Sequence, residues 1–177
     1  ENTPNPATLK FLPGQTVMGS GTADFKSVSE AKKSPLALAL FDIEGVESVF
    51  LGADFISITK LDETGWDLLK PLILGAIMSH FQLGRPVIEA GEGTETSSSK
   101  VDSDPLVRKI KELIDTRVRP AVAQDGGDIV YHGFEDGIVK LQLIGACGSC
   151  PSSTATLQYG IQNLLVEEIP EVQGVEQ

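Results

Sequence analysis

Residues 125–151, DGGDIVYHGFEDGIVKLQLIGACGSCP, hold a turn, a hairpin and a cysteine loop in immediate succession. Asp125-Gly126-Gly127-Asp128 is a strong turn signal, because two consecutive Gly reach backbone angles that other residues avoid. Ile129 to Phe134 and Ile138 to Leu143 read as two strands, and the Asp136-Gly137 step between them favours a tight hairpin. After the second strand come Gly145-Ala146-Cys147-Gly148-Ser149-Cys150-Pro151, a loop whose Pro suits the first turn of a helix. The helix follows, with Leu157, Ile161, Leu164 and Leu165 on one face. Upstream, Asp104-Pro105 reads as an N-cap followed by Pro, and Val107, Ile110, Ile114 and Val118 form one apolar stripe. That amphipathic helix should end or kink near Pro120. The predicted order is helix, strand, strand, helix, with the C-x-x-C in a loop.

Further upstream the composition breaks. Residues 85–103, RPVIEAGEGTETSSSKVDS, lose the apolar periodicity seen on either side and are rich in Gly, Ser, Thr and Glu, the composition of a flexible linker. Before it, Ala7 to Leu12 alternates and closes on Pro13-Gly14, a strand and turn. Ser34-Pro35 opens a short helix through Leu36, Leu40 and Phe41. Gly45 to Leu51 and Asp54 to Thr59 read as a hairpin around Gly52-Ala53. From Trp66 the pattern is helical, with Leu69, Ile73, Ile77 and Phe81 at four-residue spacing, and the cost of an interior Pro places the start of the main helix at Pro71. The fold class is therefore α+β, with two small α/β domains, 1–84 and 104–177, joined by the linker 85–103.

The formal charge is −11, from 25 acidic and 14 basic side chains among 177 residues. An acidic surface without a dense Lys/Arg block repels a polyanion, so nucleic acid is not an expected partner. No apolar run approaches the ~20 residues that cross a bilayer, so no membrane partner is expected either. The chain begins at Glu1 without Met or a charged-then-apolar leader, which fits a processed N-terminus with its targeting peptide removed. Two Cys make no disulfide framework, which favours a reducing compartment.

The chemistry concentrates at Cys147 and Cys150. A helix start at Pro151 puts Cys150 at or beside the N-cap, where free N–H groups and the helix dipole stabilise a thiolate, the form that binds metal or attacks a disulfide. Gly145, Ala146, Gly148, Ser149 and Ser152 are small, so the thiols should be exposed. A 2Fe-2S or 4Fe-4S centre usually takes four thiolates and structural zinc usually takes four ligands, whereas this chain supplies two Cys. Either His80 or His132 completes the set or a second subunit does. Both His read as ordinary packing or surface residues, and a two-fold pair needs no further ligand. Two rival readings stand beside metal binding: inert small hydrophobes, and a redox dithiol acting as a thiol–disulfide oxidoreductase. Spacing alone does not separate metal from redox chemistry. Asp125 and Asp128 read as turn residues rather than paired carboxylates or a cation site. Leu164, Leu165, Val166 and Ile169 read as core packing rather than a docking surface.

Gln124-Asp125-Gly126-Gly127-Asp128-Ile129, Gly133 to Val139 and Gly145 to Ser153 together resemble the Nfu-type iron–sulfur scaffold domain, related to the C-terminal part of NifU. Thr3-Pro4-Asn5-Pro6 before Leu9-Lys10-Phe11, and Ser34-Pro35-Leu36 before Gly45 to Phe50, resemble the Nfu N-terminal domain. The resemblance implies a non-enzymatic carrier that receives a cluster from upstream assembly proteins and delivers a 4Fe-4S centre to apo iron–sulfur proteins. It maps the ligand pair onto Cys147 and Cys150, with one cluster per homodimer. It also implies the mitochondrial matrix as the location, with a bacterial cytoplasm as the alternative.

Overall fold

The computed structural model describes residues 1–89, 104–148 and 151–177. The chain divides into two compact units, Glu1–Gly93 and Thr94–Gln177, each with its own sheet and core.

The first unit contains β1 (Thr8–Phe11), β2 (Ala23–Phe25), α1 (Val28–Ala31), α2 (Pro35–Phe41), β3 (Val46–Leu51), β4 (Ile56–Lys60) and α3 (Trp66–Gln82). Its antiparallel sheet has the order β1-β4-β3-β2. Leu36 and Leu40 of α2 and Leu69, Ile73 and Ile77 of α3 join Val49, Leu51, Ile56 and Ile58 in one buried cluster, which gathers the apolar faces of helices and sheet into one core. The Ser-Pro start of α2 is as expected, with Ser34 Oγ accepting from Ala37 N at 3.1 Å. Gly52 is required where it stands in the β3–β4 turn, since a Cβ there would lie 2.4 Å from the Phe55 ring.

Three features of this unit differ from the sequence reading. The short β2 and α1 were not foreseen. Helix α3 begins at Trp66 and carries Pro71 inside it. Pro71 removes one N–H and frees the carbonyl of Asp67, but both residues are exposed near the helix start, where an unpaired carbonyl costs least. The residues expected to open the linker are held instead against the unit: Ser34 Oγ donates to Val87 O at 2.5 Å, and Glu89 N donates to Lys33 O at 2.9 Å. The rest of the expected linker, 90–103, lies outside the described residues.

The second unit contains α4 (Pro105–Leu113), a π-helical turn (Ile114–Val118), α5 (Arg119–Gln124), β5 (Gly127–Glu135), β6 (Ile138–Gly145), α6 (Pro151–Glu168) and β7 (Gly174–Glu176). Asp104 caps α4 by accepting from Leu106 N at 2.9 Å. The helical run neither ends nor breaks at Pro120. In a regular α-helix the Pro120 ring would strike the carbonyl of Thr116, and the wider π turn just before it relieves that contact. Strands β5 and β6 pair through a two-residue turn in which Asp136 and Gly137 take φ of 51° and 81°, the left-handed pair that a tight hairpin demands. An extra residue, His132, bulges β5 between Tyr131 and Gly133. Strand β7, absent from the predicted helix-strand-strand-helix order, adds parallel to β6. Ile110, Ile114, Val118 and Val122 from the helical run meet Ile129, Val139, Leu141 and Leu143 from the hairpin and Ile161, Leu165 and Ile169 from the C-terminal segment.

Candidate functional site

Strand β6 ends at Gly145, whose φ of 70° turns the chain back toward the helical run. Ala146 N donates to Gly126 O at 3.2 Å, and Gly148 N donates to Gly145 O at 3.1 Å. Between them Cys147 points into the core. It is 1% exposed, and its Sγ lies 3.9 Å from the carbonyl of Val122 in α5, as a thiol donor. Its own carbonyl accepts from Thr154 Oγ1 at 2.9 Å, which ties the loop to the first turns of α6.

This corrects the expectation of an exposed thiol at Cys147. The small residues have a different use: they let the loop fold tightly onto the hairpin. A Cβ at Gly127 would stand 2.6 Å from Ile144 O and 2.9 Å from Cys147 Sγ, and one at Gly148 would stand 2.5 Å from Leu143 O. Gly127 and Gly148 are thus positions where backbone approach, rather than solvent access, needs glycine. Cys150 and Ser149 lie outside the described residues. Helix α6 does open at Pro151.

Asp128 sits in β5, not in the turn, and is buried. Its Oδ1 accepts from Ile129 N at 2.7 Å, and its Oδ2 faces Arg119 Nη1 at 3.5 Å. Arg119 also pairs with Asp115 at 3.1 Å and donates to Ile129 O at 3.4 Å. Asp128 therefore meets a guanidinium rather than a second carboxylate. Its role is to clamp the helical run onto β5, one residue from Gly127, where Cys147 packs.

The two histidines stand in different surroundings. His132 is exposed on the bulge, with Nε2 3.2 Å from Gln142 Oε1. His80 is buried at the end of α3, edge-on to Phe81, and its Nε2 has no hydrogen-bond partner among the described residues. Burial pushes the His80 pKa below its ordinary value, and the nearby Arg85 charge acts in the same direction, against hydrogen bonding to the Arg85 and Pro86 backbone. Among the described residues, no group of three or more His, Cys, Asp or Glu is placed to hold a metal ion. Leu165 and Ile169 are fully buried and Leu164 packs against the core, while Val166 is exposed, in keeping with core packing of this segment. No helix among the described residues is long and apolar enough to cross a membrane. Arg119 and Thr154 were not singled out from the sequence, because neither belongs to a local motif, and Gly127 was read only as part of the Asp125-Gly126-Gly127-Asp128 turn, not for its close approach to Cys147.

Residues 1–84 match the family model for the scaffold protein Nfu/NifU N terminal, and residues 110–176 match that for the NifU-like domain. The chain is 53% identical over 178 residues to the mitochondrial NFU1 iron-sulfur cluster scaffold homologue of Homo sapiens, covering all of this chain and 70% of that protein. It is 52% identical over 178 residues to the counterpart in Drosophila virilis, of which it spans 60%. A solution NMR structure of a NifU-like protein from Saccharomyces cerevisiae aligns with a TM-score of 0.47 and 32% identity, over 51% of this chain and 82% of that one.

Proposed function

Since the chain belongs to the Nfu/NifU family of iron–sulfur cluster scaffolds, we propose that Cys147 and Cys150 are its cluster ligands and that two copies share one 4Fe-4S cluster. The observation that carries this reading is the placement of both thiols of the chain in a single C-x-x-C within the NifU-like match, between the end of β6 and the first residue of α6. Two thiolates are half of what such a centre usually takes, and a homodimer supplies the other half. The cluster is cargo, so no nucleophile–base pair is needed and the chain acts as a carrier rather than an enzyme. Upstream assembly proteins load it. Apo-protein thiolates then replace Cys147 and Cys150 one at a time.

The buried Cys147 adds a step. Its Sγ leaves Val122 and the core before it bonds iron, so loading requires the loop after Gly145 to open. Residues 1–84 and 104–177 act as separate domains, with the tether confined to 90–103 because Val87 and Glu89 hydrogen-bond to the first unit, and the first domain brings no thiol. The mitochondrial relatives support a mitochondrial location, and we place it in the matrix.

Anaerobic reconstitution tests the proposal. The loaded protein should show 4Fe-4S absorption and Mössbauer signatures, about two irons per chain, and twice the apo mass. Cys147→Ser and Cys150→Ser should each abolish retention. Wild-type retention by either variant would remove that residue from the ligand set. A monomer without iron that turns over a disulfide substrate would replace the carrier reading with the dithiol one.

A further inference from the structure

Cys147 is 1% exposed with its backbone included, so rotation of the side chain alone leaves the sulfur covered. The thiol comes out only when the backbone of the loop turns. The ends of the loop permit that turn: Gly145 already sits at a φ of 70°, Gly148 has no Cβ, and hinges are a few residues that absorb changes of φ and ψ. Ala146 N is held on Gly126 O at 3.2 Å, which pins the chain just before the cysteine. The motion therefore centres on Cys147 itself.

Contacts of unequal strength oppose it. The sulfur lies 3.9 Å from Val122 O, and a thiol is a weak donor. Thr154 Oγ1 donates to Cys147 O at 2.9 Å, a normal hydrogen-bond length. That carbonyl moves whenever the Cys147 backbone turns, so the hydroxyl bears directly on exposure of the thiol. Thr154 is also built to let go. Its acceptor lies seven residues back, before the first residue of α6, whereas a helical Thr has a second acceptor within reach in the preceding turn of its own helix. Exchanging one carbonyl for the other strands no hydroxyl. Thr154 is only partly buried, so water reaches the bond as it breaks.

We propose that Thr154 is a positioning residue whose hydroxyl latches the Cys147 backbone in its closed arrangement and so sets how often the thiol is presented. Its use rests on the reading of Cys147 as a cluster ligand. On that reading Thr154 governs the speed of loading and not the iron held at saturation, because a thiol bonded to iron has already left the closed arrangement. The latch also keeps the unloaded thiol covered between encounters with a donor.

Alkylation by iodoacetamide in the full chain carrying Cys150→Ser reads the exposure of Cys147 without iron. Thr154→Val, which keeps the shape and removes the hydroxyl, should raise the rate roughly 2- to 12-fold, the ratio that the loss of one hydrogen bond produces. Thr154→Ser, which keeps the hydroxyl, should bring the rate back toward that of the parent. Ile169→Val is the control for a general loss of stability: it trims a buried residue just past the far end of α6, and should lower the urea midpoint while leaving the alkylation rate in water unchanged. No acceleration in Thr154→Val, no recovery in Thr154→Ser, or an equal acceleration in Ile169→Val would overturn the latch. In the chain with both native cysteines, Thr154→Val should speed anaerobic uptake of iron and sulfide without changing the final iron per chain; an unchanged uptake rate would overturn its part in loading. A parent chain that retains no iron would sink the ligand reading alone, since alkylation judges the latch without metal.

Discussion

Cys147 and Gly127 form a lock at the scale of single side chains. The thiol lies against the Val122 carbonyl only because Gly127 offers no Cβ to the space its sulfur occupies. Gly127→Ala should therefore destabilise the second unit by about 1–3 kcal/mol in urea unfolding, the usual cost of overpacking. The same variant should raise the alkylation rate of Cys147, measured in a Cys150→Ser background, because the displaced sulfur becomes reachable. A silent substitution would remove Gly127 from the account. His80 makes a separate prediction in the first unit. Its pKa lies below 6.5 in the fold because burial disfavours the charged ring. The unfolded chain thus binds the proton more readily, and stability is full above about pH 6.5 and falls as pH drops from there toward the depressed value. Urea midpoints at about pH 7.5 and about pH 5.5 should differ less in His80→Leu than in the parent. The cysteine pair was legible in the sequence as a motif, whereas the burial of Cys147 was not, because it depends on a glycine twenty residues away in sequence.

At the scale of elements, the π turn and Arg119 join the helical run to the hairpin. Asp128 is buried and Arg119 is half-exposed, so removing the guanidinium leaves a carboxylate that solvent only partly reaches. Arg119→Met should cost about 2 kcal/mol, below the full penalty for breaking a buried pair. Asp115→Ala, which breaks only the exposed pair on the same arginine, should cost under about 0.5 kcal/mol. Equal losses in urea unfolding would show that Asp128 is not the partner that matters. Elements with their own punctuation were readable in advance: Ser34-Pro35 starts α2, Asp104-Pro105 starts α4, and Asp136-Gly137 turns β5 into β6. Strands β2 and β7 were not. Each spans three residues, too few to show alternation, and each exists because a neighbouring strand offers an edge. Pro71 misled the reading of α3 because the penalty for an interior proline assumes a buried or mid-helix carbonyl, and Asp67 is neither.

For the whole molecule, all thiol chemistry belongs to the second unit, since residues 1–103 contain no Cys. A chain of residues 104–177 should then reconstitute to the same iron per chain as the full protein, about two. A large deficit would mean that the first unit takes part in holding the cluster. The compositional break at 85–103 was visible in the sequence; the hydrogen bonds from Ser34 to Val87 and from Glu89 to Lys33 were not, since they depend on where α2 lies in the fold. The Asp136-Gly137 turn carries a final consequence, for the order of assembly. Its two residues close a minimal hairpin loop, and hairpins of that kind zip in roughly 1–10 μs. Strands β5 and β6 thus register early, while Val122 reaches Cys147 only after the more distant helical run has docked. Pulsed alkylation during refolding should therefore find Cys147 reactive at times when the hairpin is already formed, a brief interval of vulnerability to oxidants that the finished fold closes.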